Sequence, residues 1–155
     1  MGEPSPGPQE GALLPDFAMH FRDGRILYRR ELRGRSHAAI YFVPDCPVRE
    51  EGAILTGLAV RVGTWRAARA AVLIVVPHDR ASPTEGLPFE PVIDRDGTLR
   101  ARFGVGSGGA LFVADRYGEI VLRADGIADT PGIASPLPVD EVAPTLGLLE
   151  MRCSL

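Results

Sequence analysis

Two runs of the chain are apolar without interruption, "AAIYFV" at residues 38–43 and "AAVLIVV" at residues 70–76. Neither alternates with polar residues, so each reads as a strand covered on both faces. Between them the period changes. Val48, Leu55, Leu58, Val62 and Trp65 recur at helical spacing while Arg49, Glu50, Arg61 and Arg66 fall on other faces, which predicts a long helix broken near Gly63. A strand, a crossover helix and a second strand of this kind make a right-handed parallel unit.

The flanking segments are patterned more weakly. In "PDFAMHFRDGRILYRREL" two short apolar-containing runs surround an Asp-Gly pair, the signal of a hairpin. After the second buried strand, "PHDRASPTEGLP" is a Pro- and Gly-rich loop, "FEPVID" a short strand or extended segment, and "GTLRARFGV" a short helix. "GALFVADRYGEIVLRAD" predicts two antiparallel strands turning at "DRYG". Val142, Leu146, Leu149 and Cys153 share one face of a closing helix, with Asp140 and Glu141 near its positive end, and Pro144 delays or kinks its start. Residues 1–11 carry no apolar side chain after Met1, so they are expected to form a disordered tail ahead of one domain over residues 12–155.

Composition fits that picture. At 155 residues one domain can bury a core without a metal or disulfide staple, and 45% hydrophobic with 24% charged residues is the balance of a globular chain. The net charge of -3 gives no reason to expect nucleic acid as a partner. All 17 basic residues other than histidine are arginines, and Lys and Asn are absent, a coding bias that speaks of the genome and not of function. The apolar runs fall far short of the ~20 residues of a membrane span, so no membrane is expected. The start lacks a basic region followed by an apolar one, so secretion is not expected either. The two cysteines are accordingly read as thiols in the cytoplasm.

The order strand, helix, strand, helix, hairpin, helix, with an extra hairpin in front, resembles the thioredoxin fold as elaborated in the peroxiredoxins and related redoxin-type thiol oxidoreductases. The resemblance covers residues 12–151 and is carried by "LLPDFAM", "DGRILYRRELRGR" before "AAIYFVP", "DRDGTLRARFGV" and "LFVADRYGEIV". It implies an α/β thioredoxin-like fold: a central mixed β-sheet flanked by helices, with an additional N-terminal β-hairpin. It also implies where chemistry would sit, at the end of the first central strand. There a "CxxC" pair opens the next helix in thioredoxin-like members, because free backbone N–H groups and the helix dipole favour a thiolate.

The corresponding segment here is "PDCPVR". Cys46 matches the first cysteine, and Arg49 stands where the second would be. Without that partner, Cys46 cannot release a mixed disulfide by intramolecular attack. The peroxiredoxin pattern Pro-x-x-x-Thr-x-x-Cys, set on Pro44, meets Val48 and Glu51 in place of its threonine and cysteine. A third element of the family, a cis-proline or a supporting arginine just before the later strand, has Gly109 as its nearest counterpart. Arg49 and a helix start would lower the Cys46 pKa, while Asp45, Glu50 and Glu51 would raise it.

Two functions are therefore open: a binding or accessory module that has lost peroxidase and disulfide-exchange catalysis, or a one-cysteine thiol oxidoreductase. In the second, Cys46 is the nucleophile, Arg49 its electrostatic supporter, and an external thiol completes the cycle. A weaker third reading has Arg49 and the free amides bind a small anion.

Other candidates are blander. His20, His37 and His78 lie on different elements and lack metal-site spacing, so no metal and no cofactor are expected. His78 follows the second buried strand on the Cys46 edge, where a dyad with Cys46 is conceivable and a solvated loop histidine the simpler reading. "GVGSGG", residues 104–109, precedes a strand instead of opening a helix, which argues against a phosphate loop and for a loop passing close to that edge. Cys153, on the last helix, reads as packing. Six arginines lie between Arg22 and Arg35, either a solvated hairpin face or a docking patch for an acidic protein partner. A homodimer is the other partner compatible with the chain.

Overall fold

The computed structural model describes residues 7–45, 55–59, 69–78 and 86–125. The two uninterrupted apolar runs become β3 (His37–Phe42) and β4 (Ala70–Pro77), paired in parallel with Ile40 opposite Leu73. Every residue of β3 is buried. That follows from its place at the centre of a five-stranded sheet ordered β5-β4-β3-β6-β7. The short β5 (Val92–Asp94) runs parallel to β4, while β6 (Ala110–Ala114) and β7 (Ile120–Asp125) continue the sheet antiparallel on the other side. The expected mixed sheet is thus present.

The N-terminal hairpin is present too, as β1 (Ala18–His20) and β2 (Ile26–Tyr28), paired antiparallel in a separate two-stranded sheet. Its turn is built by the Asp-Gly pair: Gly24 takes φ +97°, and Asp23 accepts hydrogen bonds from the Arg25 backbone N–H at 3.0 Å and the Arg25 Nε at 2.9 Å. β2 leads directly into a single helical turn, α1 (Arg29–Leu32), where the Glu31 carboxylate accepts the Tyr28 backbone N–H at 2.7 Å.

Side chains alternate across β3 and so divide the core in two. Ala38, Ile40 and Phe42 face one cluster with Phe17, Met19, Leu32, Phe103 and Phe112. Ala39, Tyr41 and Val43 face the other, with Leu55 and Leu58. Residues 55–59 are helical, the described part of α2. The remainder of the long helix expected after β3, and the closing helix after β7, lie outside the described residues.

The first cluster is held by an aromatic group. Phe103 sits 5.1 Å from Phe42 and 5.2 Å from Phe112, ring centre to ring centre, the latter edge-on. Phe103 belongs to α3 (Thr98–Phe103), the short helix expected from "GTLRARFGV". Glycines bound it: Gly97 at φ +74° and Gly104 at φ +65° adopt left-handed backbone that a side chain would strain.

Both sheet edges are covered by the N-terminal segment. Gly11 N–H donates to the Ile120 carbonyl and Ile120 N–H to the Ala12 carbonyl, each at 2.8 Å, along β7. Phe21 bridges Val92 on β5. Residues 7–11, the described part of the segment whose composition reads as a tail, lie alongside β7 and the end of α3. Arg123 fixes them there. Its side chain is only 2% exposed, donates to the Pro8 carbonyl at 2.7 Å and the Gly104 carbonyl at 3.0 Å, and pairs with Asp125 at 2.8 Å.

Candidate functional site

β3 and β4 are parallel, so their carboxyl ends open on the same edge of the sheet, the usual place for a ligand in an α/β architecture. Beyond β3 the chain passes Val43, Pro44 and Asp45. Val43 N–H is still paired, donating to the Val75 carbonyl at 3.0 Å. Pro44 is buried and Asp45 is exposed. Cys46 and Arg49, the two residues singled out from the sequence, lie outside the described residues, as do Val48, Glu51 and Cys153. The chain leaving β3 is described up to Asp45.

Three groups converge there. The first is the loop "GVGSGG". Asp45 N–H donates to the Ser107 carbonyl at 2.9 Å, so this loop meets the chain one residue before Cys46, as its glycine content suggested. The second is Gly109, immediately before β6, at φ +77°. A β-carbon built there would fall on the Phe42 carbonyl oxygen, far inside van der Waals contact, and 3.1 Å from the Pro44 nitrogen. The position matched to the family's third element thus has no space for a side chain. Its backbone packs directly on the step that leads to Cys46.

The third group is Arg100, within the segment "DRDGTLRARFGV" that carries part of the resemblance. Its side chain, only 15% exposed, reaches from α3 to the end of β3. Nη2 donates to the Val43 carbonyl and lies 3.4 Å from the Asp45 Oδ1, and Nη1 donates to the Gly106 carbonyl at 3.1 Å. One guanidinium therefore ties the strand end, the glycine loop and the Asp45 carboxylate together. Its planar fork suits that task, since several donors are fixed in one geometry.

Arg100 is itself positioned from below. Asp94, buried at the end of β5, accepts the Leu99 backbone N–H at 3.1 Å and the Arg100 backbone N–H at 3.0 Å, satisfying two amides that the first turn of α3 leaves unpaired. Leu99 and Phe103 then point into the core and fix the rotation of the helix. Nothing in the local sequence announces this role. Arg100 and Val43 are 57 residues apart, and only the fold makes them neighbours.

The other candidates stay apart. His78 follows β4 and is exposed on the same edge. His20 is exposed on β1, whereas His37 is buried at the far end of β3. Among the described residues no three His, Cys, Asp or Glu side chains gather where a metal ion would sit, and no helix is long and apolar enough to cross a membrane. The arginine-rich stretch is mostly exposed but partly engaged: Arg25 stacks over Phe21, Arg30 over Tyr28, and Arg29 donates to the Leu14 carbonyl at 2.6 Å.

No family model matches the chain, and no curated protein matches it. Solved structures do. A candidate thiol:disulfide interchange protein DsbE from Chlorobium tepidum superposes with TM-score 0.72 at 17% identity, covering 92% of this chain and 98% of that one. A mutant of PrxQ from Xylella fastidiosa gives 0.71 at 17% identity, over 90% and 96% of the two chains. Peroxidoxin BcpB from Mycobacterium tuberculosis gives 0.66 at 16% identity, over 92% and 96%. The chain therefore has a thioredoxin-like fold. Its neighbours within that fold are redoxin-type proteins, of the thiol–disulfide and peroxiredoxin kinds, as the resemblance implied.

Proposed function

We propose that this chain keeps the redoxin frame but has lost standard peroxidase and disulfide-exchange catalysis, and works as a binding or accessory module. The observation that carries this reading is Gly109. The backbone there leaves no space for any side chain, so neither a proline nor an arginine is available at the position where the family supports its sulfur chemistry. The sequence adds Arg49 in place of a second cysteine, and Val48 and Glu51 in place of the peroxiredoxin threonine and cysteine. Arg100 does not restore the set, because its guanidinium is committed to two backbone carbonyls and to Asp45.

The alternative, a one-cysteine thiol oxidoreductase using Cys46 with an external thiol, draws support from that same guanidinium. A partly buried cation beside the residue preceding Cys46 is a feature that favours a thiolate. The two readings part on the Cys46 thiol. Alkylation of the full chain across pH, with Cys153→Ser so that one thiol is followed, is expected to give a midpoint at or above about 8.5, the value of an unactivated cysteine. A midpoint below about 7 would favour the oxidoreductase.

A further inference from the structure

At the opposite end of the sheet from Asp45, a cleft opens between α1 and the β6–β7 turn. Its floor is apolar, formed by Leu14, Leu32 and Ala38. Its rim carries Leu13 and Tyr117. These are 64% and 56% exposed, two of the three large hydrophobic side chains that the described residues leave in water, and both border this one cleft. Isolated exposed hydrophobics need no explanation, but two flanking one depression do.

Charge separates this cleft from the rest of the molecule. The chain as a whole carries -3, yet among the described residues Arg29, Arg33 and Arg116 line the cleft with one carboxylate, Asp115. That carboxylate is turned inward and accepts the backbone N–H groups of Tyr117 and Glu119, each at 2.9 Å. Asp16 lies 3.8 Å from Arg29, and Glu31 on α1 is taken by the Tyr28 amide. Arg33 is exposed and has no side-chain partner among the described residues. Arg116 lies over the Tyr117 ring, 5.4 Å from its centre, and props that ring at the mouth.

Size narrows the occupant. The cleft holds about 100 Å³. That is below the roughly 300 Å³ at which small-molecule and cofactor sites begin, and near the ~150 Å³ of a cavity that takes one benzene-sized group. We propose that this cleft docks an acidic segment of a partner protein, which inserts one aliphatic or aromatic side chain between Leu13 and Tyr117 and sets a carboxylate against Arg33. An apolar anchor in a pocket rimmed by arginine is the usual composition of a binding hot spot. The inference does not depend on the state of Cys46, which follows Asp45 in sequence beyond the other end of β3.

Fluorescence anisotropy on the full chain tests it. The probes are labelled synthetic peptides with a central Leu, Phe or Trp flanked by Glu and Asp. One control replaces every acid with Gln, and the other replaces the central residue with Ser. The acidic apolar peptides should bind and both controls should bind at least about tenfold more weakly. Arg33→Glu and Leu13→Ser should each weaken binding by about tenfold or more, with unfolding midpoints near that of wild type because both side chains are exposed.

Three results would overturn the proposal: no binding at about millimolar peptide, equal binding of either control, or affinity unmoved by both substitutions. Sedimentation of the same variants closes the remaining route. A wild-type dimer that Arg33→Glu converts to monomer would make a second copy the occupant and contradict the proposal. Thiol turnover plays no part in these readouts, so their failure and that of the accessory-module reading are distinguishable.

Discussion

Two residues, Arg123 and Gly109, hold this fold at points that no hydrophobic pattern marks. Arg123 is an ion almost without solvent, tolerable because Asp125 and the carbonyls of Pro8 and Gly104 surround it. Arg123→Ala leaves those carbonyls without their donor, and urea unfolding should show a loss of roughly 2–4 kcal/mol. At Gly109 the constraint is steric. Gly109→Ala sets a β-carbon against the Phe42 carbonyl at φ +77°, so it should destabilise by at least about 1–2 kcal/mol in the same measurement.

Asp96 supplies a pH signature. Hydrogen bonds from the Thr98 side chain and backbone hold its carboxyl below the ordinary value of 3.8. A depressed carboxyl stabilises the fold above its unfolded pKa and loses that contribution as pH falls through the lower folded value. Asp96→Asn should therefore be less stable than wild type near neutral pH, and the gap should close as pH drops below 3.8. A gap that stays constant across that range would show that Asp96 does not act through its charge.

Elements with an unambiguous period are legible in the sequence alone. β3 and β4 declare themselves as buried strands, and "DRYG" and the first Asp-Gly pair mark their hairpins because turn chemistry is local. α1 was missed for the converse reason. Four residues are too few for a helical period, and its Glu31 cap is recognisable only once the turn exists. The placement of α3 at the site was equally illegible, since it depends on Asp94 and Arg100 meeting amides and carbonyls far away in sequence. If α3 sets the end of β3 through Arg100, Arg100→Ala should raise hydrogen exchange at the Asp45 amide, which bonds Ser107, and leave amides of the β1–β2 hairpin unchanged. Unaltered protection at Asp45 would remove Arg100 from that role.

For the molecule as a whole, the fold was readable and the site only halfway. The run of buried strands and the resemblance of scaffold segments led to a thioredoxin-like sheet with an N-terminal hairpin, and the redoxin structures agree in fold over most of the chain. The sequence also identified Gly109 and the glycine loop as members of the Cys46 edge. It did not disclose that Gly109 is sterically closed or that Arg100 braces the edge, because both are facts about backbone brought together from distant segments. In the same way, the arginine-rich hairpin region supplies Arg29 and Arg33 to a cleft that also needs Leu13, Arg116 and Tyr117, residues remote from it in sequence.

The account's central claim is that a redoxin frame here lacks a working catalytic set. Its most direct test is turnover by the full chain, wild type beside Cys46→Ser, with hydrogen peroxide and a thiol reductant and separately with insulin disulfides. The account predicts that both proteins stay at the rate of the uncatalysed reaction. Reduction of either substrate well above that background, abolished by Cys46→Ser, would contradict it.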